Sequence, residues 1–94
     1  LYEKVLRDFA TRFAGEAGRI RHALAAGDRE TAARQAHSLK GTGGTIGAKQ
    51  LAALALELEQ AIKDDGADPE AKLVAVTAEL EQVLAGIGAA FPSP

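Results

Sequence analysis

Residues 29–47 read Arg-Glu-Thr-Ala-Ala-Arg-Gln-Ala-His-Ser-Leu-Lys-Gly-Thr-Gly-Gly-Thr-Ile-Gly. Ala32, Ala36, Leu39, Gly43 and Ile46 recur there at steps of three and four, which at about 100° per residue gathers them on one side of a helix. Asp28 precedes the stretch as a capping residue, and Glu30 and Thr31 fall in the first turn, where acidic and small polar groups suit a helix N-terminus. The segment therefore predicts a helix over about 29–45. Its later half is unusual, because Gly41, Gly43, Gly44 and Gly47 crowd together and each interior helix glycine costs about 1 kcal/mol relative to alanine. Something must compensate for that cost.

The same periodicity extends on both sides. Val5, Leu6, Phe9, Phe13, Ala17, Ile20 and Leu24 predict one long amphipathic helix over about 2–26, ended by Ala26-Gly27-Asp28. Leu51, Leu54, Ala55, Leu58 and Ile62 predict a third helix over 48–63, which stops in Asp64-Asp65-Gly66-Ala67-Asp68-Pro69. Pro69 suits the first turn of a fourth helix over 69–87, with Leu73, Val76, Leu80, Val83, Leu84 and Ile87 inward and a tail over 88–94. Short connections between four helices imply antiparallel neighbours. The expected fold is all-α, a single-domain antiparallel up-and-down four-helix bundle.

Composition narrows the function. The 94 residues are 47% hydrophobic but only 4% aromatic, so the interior is built from small and aliphatic side chains that favour helix. Thirteen acidic and eleven basic residues are interleaved at a net charge of −2, which argues against nucleic acid or a lipid surface as partner. With no cysteine there are no disulfides, thiol nucleophiles or thiolate metal sites, and the compartment reads as cytosolic. No apolar stretch is expected to reach the roughly 20 residues that cross a bilayer. The chain opens on Leu1 and has no Met, which suggests a piece of a longer product.

His37 lies well away from the inward stripe and is expected to face solvent. Lys40 and Gly41 stand one turn on and Gly44 two turns on, so the imidazole is flanked by a cation and by residues without bulk. A neutral imidazole nitrogen is a competent nucleophile for phosphorus, and Lys40 can neutralise part of the charge of the phosphohistidine. Glycines at 41 and 44 would let a partner approach the ring closely. His22 has no comparable neighbours and reads as an ordinary surface histidine.

The run Ala36-His37-Ser38-Leu39-Lys40-Gly41, followed by Ile46-Gly47-Ala48, Leu51 and Leu58-Glu59, resembles the pattern of the histidine phosphotransfer (HPt) family. The resemblance covers roughly residues 5–88, outward through Phe9 and the Leu24-Ala25-Ala26-Gly27-Asp28 turn. It implies that His37 is the phosphorylated residue and that Lys40 and Gly41 lie beside the phosphoryl group. In several family members a Gln or Glu 22 residues after the histidine holds the ring nitrogen that is not phosphorylated, which here would be Glu59. Members attached to chemotaxis kinases often carry a second histidine three residues before that position, where this chain has Leu56, so the resemblance points away from that type.

No Walker-type loop is present, so autonomous phosphorylation from ATP is not expected. A receiver domain would bring the aspartyl phosphate and its Mg²⁺, and this domain would bind no cofactor. Receiver docking is expected around His37, Ser38, Lys40, Gly41 and Gly44, with Arg34 and the first helix at its edge. The family context implied is a cytoplasmic phosphorelay, with the domain expected to be monomeric and either free or part of a hybrid, membrane-anchored sensor histidine kinase. A helical adaptor that binds a receiver without carrying phosphate is the alternative. A metal bundle is disfavoured by having only two histidines and no Glu-x-x-His pair.

Overall fold

The computed structural model describes residues 2–64 and 67–92. These form α1 (Tyr2–Phe13), α2 (Glu16–Ala25), α3 (Arg29–Thr45), α4 (Lys49–Lys63) and α5 (Glu70–Ala90). Asp65 and Gly66 of the expected α4–α5 turn, and residues 93–94 of the tail, lie outside the described part.

The fold is an all-helical, antiparallel four-helix bundle. In it α2, α3, α4 and α5 pack side by side, and α1 lies against α5. Phe13, Ile20, Leu39, Leu51, Leu58, Ile62, Leu73 and Val76 are the large side chains fully withdrawn from solvent. The inward stripe of α3 is buried throughout, and Ala33, which the periodicity did not single out, joins it. Asp28 caps α3 by accepting from the Thr31 backbone N–H at 3.1 Å.

The expected single helix over 2–26 is instead two. The break falls at Ala14–Gly15, where Gly15 takes φ +79°, a left-handed conformation that costs a side-chain-bearing residue energy. The Arg19 guanidinium bonds the carbonyl of Arg12 at 2.9 Å across the break and the largely buried carboxylate of Glu16 at 2.8 Å. One side chain thus satisfies a free carbonyl at the end of α1 and neutralises an acid at the start of α2. Gly15→Ala should lower stability by about 1 kcal/mol through backbone strain alone, read as a fall in the urea midpoint, because the site has room for the methyl group.

Val5, placed on the inward stripe by periodicity, is 44% exposed, since α1 has a bundle on only one side. The last helix runs past 87 to Ala90, since Gly88 keeps a φ that is not positive; Pro69 stands just before its first residue, and Asp68 accepts from the Glu70 backbone N–H at 3.0 Å. By length and a mean hydropathy of 1.4, Glu70–Ala90 is apolar enough to cross a membrane, contrary to the expectation that no stretch would be. Here its Leu73, Val76, Leu80 and Ile87 are core residues of the bundle.

Candidate functional site

The register of the antiparallel α3–α4 pair builds the site. At one end Arg29, in the first turn of α3, sends its guanidinium to the carbonyls of Ala61, Ile62 and Asp64, covering acceptors that the end of α4 leaves free. At the other end the buried Gly43 packs on α4: a Cβ there would sit 3.6 Å from the Leu51 side chain and 3.7 Å from the Ala52 backbone nitrogen, ordinary contact distances. In this register the pair brings His37 of α3 opposite Glu59 of α4.

The His37 side chain is 62% exposed, as its place off the inward stripe implied, whereas that of Glu59 is 7% exposed. Nδ1 of His37 lies 3.2 and 3.1 Å from the two oxygens of Glu59. With Nδ1–H donating to the carboxylate, Nε2 is left as the nucleophilic nitrogen on the far side of the ring. Glu59 also accepts from Lys63 Nζ at 2.9 Å, and Lys40 Nζ stands 3.9 Å from its other oxygen. Burial opposes ionisation of Glu59, but the hydrogen bonds from Lys63 and His37, together with their charges, outweigh it and hold the carboxyl below its ordinary value.

That depression fixes a sign. The stabilisation from ionised Glu59 is fully present above the ordinary carboxyl range and is lost as the pH falls through the lowered value. Urea midpoints of wild type and Glu59→Gln should therefore differ at neutral pH and converge on acidification below the ordinary carboxyl range. A gap that stays constant would mean that Glu59 contributes only shape.

Other residues singled out by sequence are distributed around this centre. Gly41 is exposed, and a Cβ built on it meets nothing within 4 Å; at Gly44 the nearest atom is Ala52 Cβ at 4.0 Å. Arg34 is exposed and 3.7 Å from Glu30. Beside His37 a groove of about 560 Å³ runs between α3 and α4, lined by Arg29, Ala33, Arg34, Glu59, Ile62 and Lys63 among others. Ser38 turns away from Glu59 and lines a separate hollow with Arg12, Glu16, Arg19, Arg34 and Gln35. His22 lies on α2 in a third hollow, with Gly15 and Gly18. Lys63 was not singled out from sequence, although its spacing of four from Glu59 on one helix was a usable signal. Among the described residues no three His, Asp or Glu side chains gather as a metal site.

Comparison with curated proteins and with solved structures gives no match. The family model described as Hpt domain matches residues 4–89. That span takes in all but the first two residues of α1 and the last of α5, and includes His37 and Glu59. The chain belongs to the Hpt domain family, the histidine phosphotransfer modules of two-component phosphorelays.

Proposed function

We propose that His37 carries a phosphoryl group between receiver domains, accepting it from the aspartyl phosphate of one and passing it to another. In acceptance the Nε2 lone pair attacks phosphorus, the acyl phosphate P–O bond breaks, and the aspartate carboxylate leaves. Positive charge develops on the ring as the Nε2–P bond forms, and Glu59 stabilises it through Nδ1–H. Lys40 swings from Glu59 towards the phosphoryl oxygens. The receiver supplies Mg²⁺ and the acidic pocket, and this domain needs neither a cofactor nor ATP. Gly41 and Gly44 leave the space into which the receiver fits, with Arg34 and Ser38 at the rim, in a cytoplasmic relay where a sensor kinase is the upstream source.

The observation that carries this reading is an exposed imidazole whose Nδ1 is held by a buried carboxylate. The test is incubation with a panel of phosphorylated receivers and Mg²⁺, following label on the domain. An acid-labile, alkali-stable adduct is expected. A receiver that binds the folded domain but transfers no label would favour the adaptor instead.

A further inference from the structure

A carboxylate beside a histidine orients the ring, but it also stabilises the imidazolium, which has no lone pair with which to attack phosphorus. Glu59 does not face His37 alone. The oxygen that accepts from Nδ1 at 3.1 Å is the same Oε2 that accepts from Lys63 Nζ at 2.9 Å. The titratable and charged groups around it are His37 and Lys40 from α3 and Lys63 from α4, with Arg29, Glu30 and Arg34 along the adjoining groove. Arg29 is committed to the carbonyls of α4, and Arg34 stands by Glu30. Lys63 is therefore the cation most closely joined to the pair.

We propose that Lys63 is a positioning residue that keeps His37 reactive: it offsets the charge of Glu59, so that the carboxylate fixes the ring without holding a second proton on it. The inference rests on His37 being the phosphoacceptor. With Lys63 in place, protonating the His37–Glu59 pair gathers net positive charge; without it, the protonated pair is neutral and is favoured. Removing the ammonium should move proton uptake by the pair to higher pH, an effect tempered by solvent because the Lys63 side chain is 64% exposed.

The test compares wild type with Lys63→Met and Lys63→Arg. Ring ¹⁵N signals of His37 are followed against pH, with His22 as internal reference. Phosphorylation by phosphoramidate, a donor that needs no receiver, is timed across the same range; Nε2 attacks phosphorus, the P–N bond of the donor breaks and ammonia leaves. For Lys63→Met the His37 titration and the acidic limb of the rate profile should both move up, giving a rate about twofold to fivefold lower within that limb. Above it the methionine variant should be no slower than wild type, because an unshielded Glu59 stabilises the ring charge that develops in attack at least as well, and Lys63→Arg should restore both curves.

An unmoved titration in folded Lys63→Met, or a rate lowered equally at every pH, overturns the proposal. So does an arginine variant that behaves like methionine. If the titration moves as stated but neither phosphoramidate nor any receiver labels His37, the carrier assignment fails while the effect of Lys63 on the ring stands.

Discussion

Replacing His37 by glutamine should abolish phosphoryl acceptance while leaving the bundle folded. The loss follows from chemistry, since an amide nitrogen has no available lone pair for attack on phosphorus, and the fall in rate should exceed about 10³-fold. Glutamine is the informative replacement because of what lies beneath His37. The Glu59 carboxylate is buried and accepts from Nδ1, so a substitution that removed the donor would leave it with a partner missing. The glutamine NH₂ can still donate there. Melting and far-UV circular dichroism should thus stay near wild type, with a stability change within about 1 kcal/mol. His22→Gln, on α2 and outside this cluster, should transfer like wild type. Label that persisted in His37→Gln and vanished in His22→Gln would move the phosphoacceptor to the other histidine.

Much of this arrangement could be read from residue spacing, and the reasons differ by element. The α3 stripe was legible because Ala32, Ala36, Leu39, Gly43 and Ile46 meet neighbours on one side only, so periodicity and burial coincide. The break at Gly15 was not, because apolar residues continue in phase across it; one glycine between Ala14 and Glu16 signals a turn only when its φ is known. The end of α5 was misplaced for the opposite reason: Gly88 suggests a stop, but a glycine with ordinary φ can remain helical. In the site, the resemblance placed Glu59 by counting. The network around it needed coordinates, because whether Lys63 and Lys40 turn to solvent or to a buried carboxylate depends on the α3–α4 register. Ser38 follows His37 in sequence yet faces another hollow, as a step of about 100° on a helix requires.

Gly41→Leu should separate stability from function, with opposite signs in two measurements. Gly41 lies within α3 without a positive φ, and a Cβ there meets nothing within 4 Å. Neither backbone conformation nor internal packing calls for glycine, in contrast to Gly15 with its positive φ. Leucine, a much better helix former, should therefore stabilise the isolated domain by about 0.5–1 kcal/mol, visible as a higher urea midpoint. The same side chain would project one turn from His37, into the space that a receiver's active site must enter to bring phosphorus within reach of Nε2. A displacement of about an ångström is enough to cost in-line transfer on the order of a hundredfold. The expected pairing is thus a more stable domain that accepts phosphate far more slowly from receivers, but at nearly the wild-type rate from phosphoramidate, which is small enough to pass the new side chain. Equal slowing with both donors would locate the defect in the imidazole itself, and an unchanged rate with receivers would remove Gly41 from the docking surface.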